Sequence, residues 1–212
     1  MFDDDSDDGS REIISKQKNA VLFNPPITGL DDAMFADLYS NSYMVHSREA
    51  KADWVICVDA DEFIYHPKML EELAGELEIP DHQLLRCEGY QMLSEHFPTT
   101  QGQIYEEVKK GVYDPRYTKS VVFRPCIHLI FAPGRHGVTS EQAKPKECNL
   151  RLLHFRFLSP EYVHAMHDRN YNRLTKLNKD KGFGAHNSPH HHGEYDLIWY
   201  KEKLKEAVPC LD

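Results

Sequence analysis

The sequence lacks the long apolar segments and the basic surface that several functional classes require. No stretch approaches the roughly 20 apolar residues that a membrane-spanning helix needs, and no secretory signal peptide opens the chain. The formal net charge is -9, which argues against a nucleic-acid partner bound through a broad basic face. We therefore expect a soluble protein with no membrane span and no nucleic-acid partner.

Cysteine is also scarce, and its spacing argues against two kinds of site. The five cysteines are an odd number and include no CxxC pair. Such a set favours reduced thiols in a cytoplasmic compartment over a disulfide framework, and it argues against a structural zinc site built on cysteine. The residues are Cys57, Cys87, Cys126, Cys148 and Cys210.

What the sequence does contain is the composition of a globular domain. Its 212 residues are 41% hydrophobic and 11% aromatic, enough for one domain with a real core. The patterns run broadly as strand, helix and strand, followed by antiparallel strands and C-terminal helices. This order predicts a single α/β domain with a central mixed, mostly parallel sheet flanked by helices.

The most informative stretch is DWVICVDADEF. The apolar run Trp54 to Val58 predicts a short strand covered on both faces. Asp59, Asp61 and Glu62 follow at its carboxyl end, where α/β proteins bind ligands. Adjacent carboxylates repel unless a cation neutralises them, and oxygen ligands favour Mg²⁺ or Mn²⁺. The alternative is a solvated acidic turn that caps a helix starting near Pro67.

A second acidic run, DDDSDDGS, occupies residues 3–10. Taken alone, such a run is usually a solvated, disordered tail. Here it leads into a predicted helix that Ser10 can cap and whose Ile13 and Ile14 face inward. The run is therefore also compatible with a strand-to-helix loop whose carboxylates meet a ligand.

Apolar periodicity predicts the remaining elements. Strands are expected at 20–23, 83–87, 119–123, 127–132 and 149–157. Helices are expected at 31–51, from Pro67 with Met69, Leu70, Leu73 and Leu77 inward, from Ser159, and at 195–208. Residues 88–116 show no period, which is typical of a functional loop or lid. In the strand 149–157, Leu153, Phe155 and Phe157 should share one face and Leu152, His154 and Arg156 the other.

Together, the two acidic motifs resemble those of glycosyltransferases of the GT-A fold, family 2-like. Members carry a DDxSxDGT-type loop early in the chain and an aspartate-any-aspartate motif at a later strand end. Residues 3–10 match the first motif, with Asp5 replacing glycine and Ser10 replacing threonine, and residues 59–61 match the second. The resemblance covers residues 1–70 well and extends loosely further. The family normally begins with an earlier strand and helix, whereas this chain starts inside the second strand.

The resemblance implies one Rossmann-like GT-A domain over 1–212, with a nucleotide-binding part at 1–62 and an acceptor-side part at 63–212. It implies a metal-dependent glycosyltransferase that moves a sugar from a nucleotide-sugar donor, by the habits of the fold a UDP-sugar, to a glycan, glycoprotein or other hydroxyl acceptor. Mn²⁺ or Mg²⁺ would stabilise the diphosphate leaving group. The chain could also be one unit of a longer multidomain polypeptide.

The resemblance also implies a set of site residues. The expected metal ligands are Asp59, Asp61 and His154, although His154 could equally be a hydrogen-bonded strand histidine. The expected nucleotide-sugar contacts are Asp4, Asp5, Arg48, Asp59, Ala60, Lys119 and His136, with an exposed strand lysine as the alternative for Lys119. The candidate catalytic bases are Glu95 and Asp81, with Glu88 as a further carboxylate. A histidine tract, His190 to His192, is expected in a flexible surface loop.

Two other functions remain open. One is a metal-dependent phosphohydrolase with Asp59 as nucleophile, although Glu62 and Phe63 break the usual DxDGT or DxDxT motif. The other is a catalytically inert nucleotide- or sugar-binding module that retains the metal loop. Turnover of a nucleotide sugar separates the transferase from both.

Overall fold

The computed structural model describes residues 1–26, 28–99, 102–188 and 194–211, so the histidine tract lies outside the described residues. The helices are α1 (Ser10–Ser15), α2 (Asp32–Ala50), α3 (Met69–Leu77), α4 (Ile104–Glu107), α5 (Pro160–Arg173), α6 (Lys176–Lys181) and α7 (Glu194–Glu206). The strands are β1 (Val55–Ile56), β2 (Glu62–Tyr65), β3 (Leu84–Leu93), β4 (Lys110–Tyr113), β5 (Lys119–Phe123), β6 (Ile130–Phe131), β7 (Val138–Thr139), β8 (Lys146–Phe157) and β9 (Val208–Pro209).

A seven-stranded mixed sheet flanked by helices forms most of the described part of the chain, and β6 and β7 pair in a separate two-stranded sheet. This arrangement confirms the α/β class and is compatible with a single domain. Strand β3 lies at its centre. One edge of β3 pairs first with β5 and then with β4, and β8 runs along the other edge. Strand β2 pairs with the far side of β8, and β1 with the far side of β5.

The sheet is mostly antiparallel, so the expected mostly parallel arrangement is wrong. Among the described strand pairs of this sheet, β3 with β8 is parallel and the others are antiparallel. The cause lies in the connections. Parallel neighbours need a crossover of a dozen or more residues. Here β4 and β5, joined by the short turn at 114–118, both run back along one edge of β3, so each is antiparallel to it.

The N-terminal acidic run is a strand-to-helix loop. Residues 1–3 run parallel to 21–23, where the Asp3 amide donates to the Phe23 carbonyl at 3.0 Å, and α1 lies between the two stretches. The predicted strand at 20–23 is reduced to this single bridge. Helix α1 differs from expectation as well, because Gly9, not Ser10, is the N-cap and Ile13 is 63% exposed.

Strand β1 is shorter than predicted and lies at a sheet edge. Trp54 and Val58 pack against one apolar cluster, and Val55 and Cys57 pack against another. Ile56 is 38% exposed, so the apolar run is covered by two clusters without being buried throughout. Its pairing with β5 nevertheless fixes where the chain leaves the sheet towards the acidic turn.

Other helices and strands follow the sequence more closely. Strand β5 has the predicted bounds, and Ser159 caps α5 by accepting a hydrogen bond from the Tyr162 amide. The two faces of β8 are confirmed, since Leu152 and Leu153 pack into different clusters. Leu70, expected to face inward from α3, is 81% exposed. Within the described residues, no helix combines the length and the apolar character needed to cross a membrane.

The segment predicted to be irregular after residue 88 contains the second half of β3 and all of β4. Gly89 is the reason this part of β3 reads as a loop in the sequence. A Cβ at Gly89 would lie 2.2 Å from the Tyr117 carbonyl carbon and 2.6 Å from the Thr118 amide nitrogen. The missing side chain therefore lets the 114–118 turn lie directly on β3.

We predict that Gly89→Ala destabilises the fold by about 1–3 kcal/mol or more, because the added methyl overlaps backbone that cannot move without displacing the turn. Urea unfolding measures the loss. Gly75→Ala is the matched control, since nothing lies within 4 Å of a Cβ there and Gly75 is part of α3. That variant should gain about 0.5–1 kcal/mol from helix propensity. Equal effects of the two substitutions would contradict the packing argument.

Candidate functional site

The candidate site lies where several strands of the main sheet end, and this end of the sheet is called its edge below. The pairings place the carboxyl ends of β1, β3 and β8 at this edge together with the amino ends of β2 and β5. The acidic turn joins β1 to β2 and is closed by a hydrogen bond from the Glu62 amide to the Asp59 carbonyl, 3.1 Å. Ala60 is exposed in this turn. The sequence thus correctly placed the acidic motif at a strand end.

Glu62, the third carboxylate of the motif, points into the protein. Its side chain is 1% exposed and accepts a hydrogen bond from Lys119 Nζ at 2.6 Å and one from Arg135 Nη2 at 3.0 Å. Its Oε2 also accepts from the Asp59 amide at 3.1 Å. Lys119 is therefore buried and committed to Glu62, which corrects both its expected role at the phosphates and the exposed-lysine alternative.

Arg135 neutralises Asp59 from inside the protein. Its guanidinium forms an ion pair with the Asp59 carboxylate, donates to the Cys57 carbonyl at 2.5 Å, and lies 4.9 Å from the centre of the Tyr39 ring. The Tyr39 hydroxyl donates to the other Asp59 oxygen at 3.2 Å. Both oxygens of Asp59 thus have protein partners.

These contacts move the pKa values of the buried groups. Burial alone would raise the pKa of Glu62, but the charges of Lys119 and Arg135 hold it below its usual value. Burial likewise opposes the charge on Arg135, yet Asp59 and Glu62 raise its pKa above the usual range. Burial and the Asp59 charge both raise the pKa of Tyr39. Glu62 is therefore a carboxylate and Tyr39 a neutral hydrogen-bond donor at neutral pH.

Asp61 and His154 form a separate pair at the same edge. Asp61 Oδ2 lies 3.3 Å from His154 Nε2, and the Phe155 amide donates to the Asp61 carbonyl at 2.8 Å. The Asp61 side chain is 39% exposed, whereas that of His154 is 5% exposed. Burial would raise the pKa of Asp61, but the contact with His154 and the charge of Arg156 lower it overall. Asp61 thus presents an ionised carboxylate to solvent beside a buried imidazole.

Buried Gln91 orients His154. Gln91 Oε1 lies 2.8 Å from His154 Nδ1, and Gln91 also helps to lower the pKa of the nearby Asp114 carboxyl. Because the Gln91 oxygen can only accept, Nδ1 carries the proton. The other ring nitrogen, Nε2, faces the Asp61 carboxylate, so a cation between the two groups would have a ligand on each side.

Aromatic and histidine rings cover this pair. Tyr117 stacks on His154 with ring centres 4.5 Å apart, and His136 meets Tyr117 edge-on at 5.7 Å. His136 is exposed, and its Nδ1 lies 2.9 Å from the Arg116 carbonyl. The turn that rests on Gly89 therefore supplies the ring that packs on His154.

The N-terminal loop reaches the site through a neighbouring network. Asp4 Oδ2 accepts hydrogen bonds from the Gly29 amide at 2.9 Å and from Arg173 at 2.5 Å. Asp32, at the start of α2, exchanges hydrogen bonds of 3.1 and 3.2 Å with Asn178. Burial and the charges of neighbouring carboxylates, including Asp59, raise the pKa of Asp32. Asp4 is thus tied to the segment before α2 and to the end of α5, and nearby Asp32 lies within electrostatic reach of Asp59.

Several predicted site residues lie elsewhere. Arg48 is exposed and lines a groove with Ala52 and Pro125, at the opposite end of β1 from the acidic turn. Asp81 precedes β3 and is therefore at the opposite edge of the sheet from the site. These two expectations are wrong, because helix α2 and the loop before β3 both end away from the motif.

The remaining carboxylates have no contact with the acidic turn. Glu95 is exposed beyond the carboxyl end of β3, within electrostatic reach of Tyr200. Glu88 accepts from Tyr90 and lines a groove with Arg151. Asp5 is exposed in the N-terminal loop with a φ of 59°. Of the candidate bases, Glu95 is thus the one that follows the carboxyl end of β3, on the same side of the sheet as the acidic turn.

The donor set fits a divalent cation only in part. Within the described ranges, no group of three or more His, Cys, Asp or Glu residues is arranged to hold a metal. Asp61 and His154, with donor atoms 3.3 Å apart, match neighbouring positions of a coordination sphere whose bonds are about 2.1 Å long. Asp59 would first have to leave Arg135. The remaining ligands would have to come from water and a bound phosphate group.

Comparison with known proteins adds no family to this geometry. A scan against known protein families finds no match, and a search of curated proteins finds no similar sequence. The chemical interpretation therefore depends on the residues themselves.

Sequence reasoning missed the groups that organise the site. Arg135, Gln91 and Asp114 lie in stretches with no motif, and their partners are distant in the chain. The one available signal was the turn sequence before His136, where Pro133 and Gly134 make a sharp bend. Arg135 itself adopts a φ of 56°, and its side chain is 1% exposed.

We predict that Glu62→Gln destabilises the protein by about 3–5 kcal/mol, because it leaves the buried Lys119 and Arg135 with less countercharge. Denaturant unfolding at neutral pH measures the loss. Glu71→Gln is the control, since its ion pair with Lys68 is 73% exposed on the glutamate side and should contribute at most about 1 kcal/mol.

Wild type and Glu62→Gln also test the charge state of Glu62. Its pKa is lowered from 4.5 in the folded protein, so the carboxylate stabilises the fold above pH 4.5 and this contribution is lost as the pH falls through the folded value. The stability difference between wild type and Glu62→Gln should therefore shrink below pH 4.5. A difference that does not change with acid would contradict an ionised Glu62.

Proposed function

We propose that this chain is a metal-dependent glycosyltransferase that uses a nucleotide-sugar donor, with a UDP-sugar favoured. The observation that carries the proposal is the pairing of Asp61 with His154 at the carboxyl ends of the strands. The two residues are far apart in the sequence, and the resemblance to GT-A enzymes names both as metal ligands. Their meeting at one edge supports that interpretation.

The chemistry of the pair is suited to a diphosphate leaving group. When bound there, Mn²⁺ or Mg²⁺ would stabilise the negative charge that develops on the departing nucleoside diphosphate. Asp61 supplies a carboxylate with a lowered pKa, and His154 is held in one tautomer by Gln91. Metal-bound histidines commonly donate their second ring N–H to such a partner. Asp114 and Gln91 would in this way support the metal ligand.

Asp59 has a different part in this proposal. Because Arg135 and Tyr39 already hold its two oxygens, it is better suited to position the ribose or the acidic turn than to bind the metal directly. Asp4, held by Gly29 and Arg173, is the candidate contact for the base or ribose in the adjoining layer. His136, which is exposed beside Tyr117, is the candidate contact for a phosphate group. The acceptor is a glycan, glycoprotein or other hydroxyl compound, and Glu95 is the candidate base.

A second candidate is a nucleotide- or sugar-binding module without catalysis. The observation in its favour is that Arg135 supplies to Asp59 the positive charge that a metal would otherwise supply. A phosphohydrolase with Asp59 as nucleophile is less favoured, because both oxygens of that carboxylate are engaged. Binding without turnover of a nucleotide sugar would favour the module, and release of free phosphate from a simple ester would favour the hydrolase.

The first experiment is calorimetric titration of UDP, GDP and CMP, each with and without Mn²⁺. We expect one nucleotide to bind in a metal-dependent way and Asp61→Asn to weaken this binding at least about tenfold, because a ligand of the cation is lost. Asp37→Asn, an exposed aspartate in α2, is the matched control and should bind as wild type does. A folded wild-type protein that binds none of the nucleotides would contradict the donor site. Turnover of the matching nucleotide sugar then tests transfer.

A second prediction concerns the support of His154. Gln91→Met keeps the volume of a buried side chain but removes the acceptor for His154 Nδ1. We expect the affinity for Mn²⁺ in the presence of nucleotide to fall about 10–100-fold. Electron paramagnetic resonance of free Mn²⁺ measures it. Gln17→Met, at an exposed glutamine, is the control. Unchanged affinity in a folded Gln91→Met protein would argue against the Asp61–His154 pair as the metal site.

A further inference from the structure

Two cysteines outside the candidate site face each other across the parallel strands β3 and β8. Arg86 of β3 and Glu147 of β8 are direct partners, so Cys87 and Cys148 follow side by side on neighbouring strands. Neighbouring strands lie about 4.8 Å apart, within the Cα separation that a disulfide requires. The two thiols pack in the same apolar cluster, and Cys148 Sγ donates to the Arg86 carbonyl at 3.4 Å. The pair therefore has the proximity that a disulfide needs.

The two thiols differ in access. Cys87 is 0% exposed, whereas Cys148 is partly exposed and lines an open groove of about 380 Å³ with Glu88, Asn149 and Arg151. The neighbouring Cys87 thiol lowers the pKa of the Cys148 thiol, whereas Cys148 and burial raise the pKa of Cys87. A reagent in the groove thus meets the more reactive thiol first, with the second thiol directly behind it.

The backbone is irregular at this point of the strand pair. Between the partners Arg86–Glu147 and Glu88–Arg151, β3 advances by two residues while β8 advances by four. The regular ladder of hydrogen bonds is interrupted where Cys148 lies. Such bulges allow local adjustment of the backbone, which a new sulfur–sulfur bond would need.

We propose that Cys87 and Cys148 are a site of reversible thiol–disulfide modification whose reagent is a low-molecular-weight disulfide such as glutathione disulfide. The Cys148 thiolate attacks one sulfur of the reagent, forms a mixed disulfide and releases one glutathione thiolate. The Cys87 thiolate then attacks the Cys148 sulfur, forms the internal disulfide and releases the second glutathione thiolate. The protein loses two protons and two electrons, and glutathione disulfide gains the two electrons.

The test is a peptide map of the folded wild-type protein after incubation with glutathione disulfide, alkylation of free thiols and digestion without reductant. We expect a cross-linked peptide pair that contains Cys87 and Cys148 and disappears on treatment with dithiothreitol. It should exceed the mixed disulfide on Cys148 at least about tenfold, because the second attack is intramolecular. Exposed Cys126 is the internal control and should carry only bound glutathione.

Two variants separate the steps. In Cys87→Ala, Cys148 should accumulate as the mixed disulfide, and in Cys148→Ser, the buried Cys87 should stay a free thiol. A wild-type map in which Cys148 carries glutathione while Cys87 is alkylated would overturn the proposal. So would a map in which both remain free thiols under conditions that modify Cys126. If Cys87→Ala does not fold, the wild-type map and Cys148→Ser decide the matter alone.

Discussion

The buried carboxylate of Glu62 is the constraint on which the site depends. An ionised group that is 1% exposed must be paired, and its partners Lys119 and Arg135 come from β5 and from the turn before β7. Arg135 also pairs with Asp59. The buried Glu62, Lys119 and Arg135 and the partly exposed Asp59 thus balance one another's charges, and they tie together the segments that surround the acidic turn. The negative charge left over at this edge belongs to Asp61.

The parts of the site that depend on local sequence pattern could be predicted, whereas this charge balance between distant residues could not. An apolar run followed by aspartates predicts the strand end at the acidic turn, and alternation along β8 predicts that His154 faces away from Leu153. Both predictions depend on local pattern alone. The pairing of Glu62 with Lys119 and Arg135 depends instead on the order of strands in the sheet. The role assigned to Lys119 was therefore wrong, although the strand that carries it was placed correctly.

The same distinction applies to the fold. The α/β class, helix α2 and the capped start of α5 follow from periodicity and from side chains next to the element. The second half of β3 could not be predicted in this way, because the local sequence pattern around Gly89 and Gln91 is typical of a loop. In the structure, Gly89 makes room for the turn at 114–118, and Gln91 Oε1 lies against His154 Nδ1. Tertiary contacts thus overrode weak strand propensity at the two positions that shape the site.

Under the proposed function, the way Asp61 and His154 are held has a consequence for the metal. The Glu62–His154 register of β2 and β8 and the hydrogen bond from the Phe155 amide to Asp61 fix both donors before any ligand binds. A cation would bind them with little reorganisation. Asp59, in contrast, could become a ligand only by breaking its ion pair with the buried Arg135. Two protein ligands leave most of the coordination sphere to water and phosphate, as is usual for Mg²⁺. Metal and nucleotide should therefore bind as one cooperative unit, each raising the affinity for the other by the same factor.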